Sequence, residues 1–445
     1  MDRTAGWVAE AAGARLVAGE AGAAGPRRAV IDTRQISEGD LFVGLRGERV
    51  DGGEFAGDAL AAGAWGVLVA DGHAERAAVG APSGAPVLAA DAPLTALQAL
   101  ARGWRREVGC RVVAVTGSTG KTSTKDILAA MLGRTLRVHA NRENLNTEIG
   151  LPLTILEAEP GTEAMVLEMA MRGEGQIAEL VRIAEPDVGV IVNVGPVHLE
   201  LLGTVERVAA AKAELIRDLR PGAACVVPAA EALLGSHLRD DLDTFTFGPG
   251  GQVMLLAFDR KGQGGVAEIE ARDQRIHLEL PYDEPHNLLN TLAAVAAALA
   301  LGERPGGKIE PHFSSLRGEI VELPGGVTVV NDCYNANPMS MRAALQHLAE
   351  TPAPRHVALL GTMGELGEGS AAFHREIGEK AAALGIDVLI TVGEEAAGYN
   401  EGFAGETYAT GSPEEAGALL EEIALPGDRV LVKGSRSVGL ERVLA

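Results

Sequence analysis

The stretch Val115–Asp126, VTGSTGKTSTKD, constrains this chain more than any other. It follows the apolar run RVVAV and leads into ILAAML, so strand, glycine turn and helix succeed one another without a break. A glycine turn that opens a helix aims free backbone N–H groups at one point, which suits a phosphate. In loops of the form G-x-x-x-x-G-K-[ST], the lysine neutralises the outer phosphates and the hydroxyl residue ligates Mg2+. Here Thr116, Gly117, Ser118, Thr119 and Gly120 form the cradle, with Lys121 as the cation and Thr122 as the hydroxyl. A nucleotide polyphosphate with Mg2+ is therefore expected. A turn that merely caps a helix shares this composition, but strand, loop, G-K-T and helix agree on nucleotide binding. The early glycine of the usual spacing is missing, because Val115 occupies its place.

A strand feeding such a loop belongs in a parallel sheet, and the rest of the chain reads the same way. The runs DLFVGL, WGVLVA, RVVAVTG, AMVLEMA, VGVIVNV, HVALLG, DVLITVG and RVLVKGS are short, apolar strands that alternate with Ala-rich helical runs. That alternation predicts α/β architecture with mainly parallel sheets and ligands at the strands' carboxyl ends. With 445 residues, two or three domains are expected. The Gly/Ala/Pro-rich stretch Ala74–Pro93 closes a first unit, and LGERPGGKIEPHF, Leu301–Phe313, marks a second break. The predicted division is residues 1–90, 91–311 and 312–445. Between TFTFGPGG and IHLELPYDEP the pattern turns to period two, an antiparallel excursion of the middle unit.

The formal charge of −22 excludes a general nucleic-acid binder, which needs a basic face. Cys110, Cys225 and Cys333 stand far apart in no metal-ligand spacing, which suits a reducing compartment. The amino-terminal stretch has no cationic start followed by a long apolar run, and the Ala-rich runs are too interrupted for a membrane span. A cytoplasmic protein without membrane insertion is expected.

Other polar groups stand out by position. Glu168 ends the strand in AMVLEMAMRGEGQIAEL, His198 follows the strand VGVIVNV, and Lys212 lies in the helical run AAAKAEL. EPHNLLN places His286, Asn287 and Asn290 at a helix start, while SLRGE carries Arg317 and NDCYNANP carries Asp332. Each has a plain reading on its own: a solvated strand end, a capped loop, a surface lysine, helix caps, an exposed arginine and a polar turn.

The loop form T-G-S-x-G-K-T-[ST]-[ST]-K, one position shorter at its glycine end, resembles that of the Mur ligases. These are ATP-dependent amide ligases that build the peptide of bacterial peptidoglycan. The resemblance implies an N-terminal UDP-binding α/β domain, a central phosphate-loop ATPase-like domain and a C-terminal Rossmann-like domain. It further implies that Glu168 ligates Mg2+ and that His198 contacts a second Mg2+. The matching Lys212 would be carbamylated into a metal-bound anion. By the same likeness, Asn287 lies beside the ATP base. Arg317 reaches the phosphates and Asp332 the ribose or metal region across an interdomain cleft. Lys121, Lys212, His198 and Arg317 are thus the implied catalytic set.

Within the family, Asp32, Thr33 and Arg34 of DTR and the loop Phe42–Gly47, with Gly44, match the segments that hold uridine diphosphate. DGGEF stands where D-G-H-x-F is common, a departure at Gly53 that leaves that one contact in question. Asn144, Asn146 and Thr147 of NLNTEIGLPLTIL match a UDP-peptide segment. Asn335 and Asn337 of YNANPMSM, with Lys433, Ser435 and Arg436 of VKGSR, are implied on the acceptor side. The D-N-P-R motif that grips a diamino acid is absent. The resemblance therefore implies a ligase joining D-alanyl-D-alanine to UDP-N-acetylmuramoyl-tripeptide through an acyl phosphate. Addition of a diamino acid to the dipeptide precursor is the alternative, and a monomer is expected.

Overall fold

The protein is described here from a computed structural model covering every residue except Asp2, Glu143, Gln263 and Ala445. Its strands assemble into three sheets in chain order. The first has five strands, ordered Arg15–Ala18, Val87–Ala89, Gly66–Val69, Leu41–Val43 and Ala29–Val30, all parallel except the first. The second has ten. Its parallel half runs Val138–Ala140, Ala164–Glu168, Arg111–Thr116, Val188–Ile191, Ala224–Pro228 and Asp243–Phe247. The third has six, with Arg429–Lys433 inserted between Val327–Asn331 and His356–Gly361.

All eight strands read from the sequence are present. The period-two stretch forms the antiparallel ribbon Val253–Lys261, Gly264–Ala271 and Gln274–Leu280, which continues the middle sheet instead of standing apart. Its alternating burial explains the pattern, because only one face of this ribbon is covered. One expectation needs correction. The loose stretch Ala74–Pro93 contains Val87–Ala89, a buried strand paired on both sides within the first sheet. Three apolar residues between Pro and Ala are too few to give a periodic signal, and pairing on both edges supplied what pattern could not.

The helix Pro285–Ala300 carries the Ala-rich run, with Leu292–Ala298 buried. Alanines let it lie close to the helix Lys121–Leu132 and the middle sheet. A second helix, Pro93–Val108, joins the first two units. Its Trp104 meets Trp7 of the helix Ala5–Ala12 edge-on at 6.1 Å and donates to Ala158 O at 2.9 Å. One hydrophobic core consequently runs from Val8, Leu41 and Leu88 into Leu151, Leu167 and Leu215. The third unit has its own two cores, one on each face of its sheet. No described helix is long and apolar enough to cross a membrane, and all three cysteines are free and buried.

Candidate active site

The glycine turn hangs between Arg111–Thr116 and the helix Lys121–Leu132. Gly120 has a left-handed backbone (φ +72°), and a Cβ there would lie 2.5 Å from Asn290 Oδ1. Both facts call for glycine. The same contact presses the start of Pro285–Ala300 against the turn. Asn290 Nδ2 in turn donates to Asn287 Oδ1 at 3.3 Å, so Asn287 stands one residue removed from the loop.

Asn193, which the sequence reading missed, clamps the turn from the neighbouring strand. Its Oδ1 accepts from Ser118 N at 3.0 Å and Thr119 N at 2.9 Å, and its Nδ2 donates to Thr119 O and Oγ1. Ser118 Oγ adds a link to Gly195. The available signal was a lone amide two residues beyond Ile191, at the carboxyl end of the strand flanking the loop strand.

Thr122 and Glu168 converge. The Thr122 hydroxyl donates to Glu168 Oε2 at 2.7 Å, and Asn146 Nδ2 donates to Oε1 at 2.8 Å. Glu168 is only 2% exposed. Asn141, another residue not foreseen, fixes its backbone from both sides, at 2.8 Å to Glu168 N and 3.1 Å to Glu168 O. Asn146 therefore comes to the carboxylate that the sequence pairs with metal. Asn144 O accepts from Asn146 N, and Thr147 Oγ1 accepts from Gly150 N at 3.5 Å at a helix start.

Two lysines meet on the other side of the turn. Lys121 Nζ donates to Gly117 O at 2.9 Å, and Lys212 Nζ, from the helix Val205–Asp218, donates to the same oxygen at 3.0 Å. Lys212 is 2% exposed. Burial lowers its pKa well below the ordinary lysine value, and the charge of Lys121 adds to the drop. Burial lowers Lys121 too, with Glu168 opposing and Arg317 assisting.

The third unit closes over this site. His198, left-handed at φ +53°, pairs through Nδ1 with Glu365 of the third unit. Glu365 is held below the usual carboxylate range mainly by this hydrogen bond. Gly195 lies against Met339, whose sulfur would be 1.8 Å from a Cβ at that position. The Arg317 guanidinium stacks on Tyr334 at 4.1 Å, and its buried Nε has no partner among the described residues. An unsatisfied buried donor beside Lys121 is the kind of group an anionic ligand completes.

The residues expected on the acceptor side bond within their own unit. Lys433 Nζ donates to Asp332 Oδ2 at 2.6 Å and to Asn335 O at 3.0 Å. Ser435 Oγ accepts from Gly364 N at 2.8 Å, Asn335 Oδ1 accepts from Ala336 N, and Asn337 caps the helix Pro338–Glu350. Arg436 faces Glu441 at 3.3 Å. In the first unit, Asp32 accepts from Arg34, which holds its carboxyl down at about 2; Thr33 lies in the same short turn. Gly44 leaves the strand Leu41–Val43 where a Cβ would strike Gly53 N and Cα at 2.8 Å. These residues lie on a different sheet from the glycine turn. Among the described residues, no group of three or more His, Cys, Asp or Glu is placed to hold a metal ion.

Three sheets and a lysine-bearing phosphate turn covered by a separate last unit define an ATP-dependent amide ligase of a particular kind: the chain belongs to the Mur ligase family. It matches the descriptions "Mur ligase family, catalytic domain" over residues 29–105, "Mur ligase middle domain" over 115–298 and "Mur ligase, glutamate ligase domain" over 316–436. More particularly, it is 38% identical over 434 residues to a UDP-N-acetylmuramoyl-tripeptide--D-alanyl-D-alanine ligase of Synechocystis sp., covering 93% of this chain and 90% of the relative. The crystal structure of MurF from Acinetobacter baumannii superposes with a TM-score of 0.87 at 27% identity, covering 100% of this chain and 98% of that one. MurF from Thermotoga maritima in complex with ADP gives 0.81 at 33% identity, over 94% and 96%. Nothing in these relatives favours the diamino-acid alternative.

Proposed function

We propose that this chain joins D-alanyl-D-alanine to UDP-N-acetylmuramoyl-tripeptide at the expense of ATP, in the cytoplasm, where peptidoglycan precursors and ATP coexist. The observation that carries the reading is the convergence of Lys121, Lys212, Thr122 and Glu168 on one glycine turn. Similarity over nearly the whole length to ligases with this activity supports the choice of substrates.

In this mechanism the terminal carboxylate of the tripeptide attacks the γ-phosphorus of ATP, and ADP leaves. Both partners are anionic, so their repulsion is the barrier that the site must lower. Lys121 would lie against the β- and γ-phosphates, and Arg317 would bring its free donor from the third unit as that unit closes. The Thr122 hydroxyl and Glu168 carboxylate are hard oxygens 2.7 Å apart, a donor set that fits Mg2+ and would hold it. When bound, Mg2+ screens the charge on the phosphate oxygens.

The depressed Lys212 amine suits carbamylation, because only the neutral amine adds to carbon dioxide. The resulting anion, with His198, would hold a second Mg2+. The amine of the dipeptide then attacks the acyl phosphate, the carbon–nitrogen bond forms and phosphate departs. Closure against Gly195 and His198 would keep water from the acyl phosphate in the interval.

Phosphate release tests the reading. It should require ATP, UDP-N-acetylmuramoyl-tripeptide and D-alanyl-D-alanine together. A diamino acid with UDP-N-acetylmuramoyl-dipeptide should give none. Lys121→Ala should lower the rate by about a thousandfold, the scale of losing a direct charge on the transferred group. Near-normal turnover in that variant would refute the role of the loop.

A further inference from the structure

The first sheet carries an imidazole that nothing above uses. The helix Asp71–Gly80 begins just beyond the carboxyl end of the strand Gly66–Val69, and its third residue is His73. His73 reaches across to the turn Asp51–Phe55, where its Nε2 lies 3.3 Å from Asp51 Oδ2. Arg76 Nη2 donates to its Nδ1 at 2.7 Å, so Nε2 carries the proton and points it at Asp51. The other Asp51 oxygen accepts from Gly53 N at 2.9 Å. The ring thus braces the turn from below, with only 15% of the side chain exposed.

Gly53 is glycine for a reason of space. Its φ lies outside the left-handed region, so the backbone makes no demand. A Cβ there would stand 2.6 Å from His73 Cδ2 and 2.7 Å from Cγ. On its other side, Gly53 touches the site where Gly44 leaves its strand, and Gly52 N donates to Leu45 O at 2.8 Å. Gly44, Gly53 and His73 are stacked in that order at the carboxyl end of a parallel sheet, where ligands collect. The segments 31–34 and 46–55 also leave Ile31, Arg34, Arg46, Val50 and Phe55 exposed.

We propose that His73 is a positioning residue for the nucleotide end of the UDP-linked substrate, and that positions 53 and 73 share one imidazole between them. A side chain at position 53 and the ring of His73 compete for one space, and here the ring fills it from another element. The inference rests on the proposed function and on the family likeness by which the loop Phe42–Gly47 is expected to hold uridine diphosphate.

Steady-state kinetics on the full chain test it, with UDP-N-acetylmuramoyl-tripeptide varied at saturating ATP and dipeptide. His73→Ala should raise the KM for the UDP substrate about tenfold, the effect of losing one hydrogen-bonded contact. Its kcat and its KM for ATP should stay unchanged. Gly53→His alone should also raise that KM, because two rings cannot share the space. The pair Gly53→His with His73→Ala should recover most of the loss in that KM; a merely structural role would instead move stability and kcat and leave the KM for the UDP substrate unchanged.

An unchanged KM in His73→Ala, or a double variant no better than the single ones, overturns the proposal. Should His73→Ala fail to fold, His73→Leu fills the space without bonding Asp51 and must raise the KM in its place; an unchanged KM there is equally fatal. Arg34→Ala separates the two layers of argument. If it raises the KM while His73→Ala does not, only the role of His73 falls. If neither variant moves it, the assignment of this sheet to the UDP end falls as well.

Discussion

Lys121 and Lys212 donate to one carbonyl oxygen, that of Gly117, from two different helices. Two ammonium groups on one acceptor repel each other, and burial has already weakened both. The arrangement is comfortable only when one is neutral or when anions arrive.

If Lys212 serves as a carbamate, its loss is chemically repairable. Lys212→Ala should lower kcat at least about a hundredfold, and short carboxylic acids such as acetate should restore part of it. Lys212→Arg should be as poor as the alanine variant, since a guanidinium stays protonated and cannot be carbamylated. Turnover measured with and without added acid decides this, and a fully active arginine variant would contradict it.

The depressed Lys212 also makes stability depend on pH. Above its lowered folded value and below the unfolded value of about 10.4, the unfolded chain binds the extra proton, so stability rises with pH. In buffer free of carbon dioxide, Lys212→Met should melt higher than the parent at neutral pH. That advantage should shrink toward pH 10 or so, as the parent no longer has to give up a proton in order to fold. Parallel melts across the range provide the measurement; a constant difference would be contrary.

Asn193 holds the turn by its side chain alone at Thr119. Asn193→Ala should cost about 1–3 kcal/mol of stability through stranded backbone groups, with a raised KM for ATP. Asn193→Asp keeps the acceptor and loses the donor, so it should fall between. Denaturant melts and ATP saturation curves test both.

The third unit meets the glycine-turn unit at Gly195 and His198, the proposed point of closure. Gly195→Val would place a branched side chain where the Met339 sulfur sits, and Glu365→Gln would weaken the pair with His198. Each should lower kcat about tenfold, leaving the KM for the UDP substrate nearly unchanged, because closure gates chemistry rather than first binding. Small-angle scattering should report a larger mean radius for the valine variant. Unchanged scattering and kcat would argue against closure at this point.

Much of this was legible in the residues. Strand, turn and helix around Lys121 were written in adjacent letters, and so were the partner strands ending in Glu168 and before His198. What escaped was long-range. Asn193 and Asn141 look like ordinary loop amides until strand pairing brings one beside Ser118 and the other beside Glu168. Val87–Ala89 is a strand because it has neighbours on both edges, not because three residues state a period. The tie of the Lys433 ammonium to Asp332 and Asn335 was equally invisible in the sequence, because it is set by the insertion of its strand beside Val327–Asn331.

The unbroken core through Trp104 makes the first two units mechanically one piece, whereas the last meets them by a few contacts around Gly195, His198 and Asp126. Freedom of motion is therefore shared out unequally. The distance from the first sheet to the glycine turn is fixed like the span of a calliper's frame, and the unit bearing Arg317 and Lys433 is its jaw. Under the proposed function, substrates of graded length would feel the rigid span and the incoming dipeptide would feel the jaw.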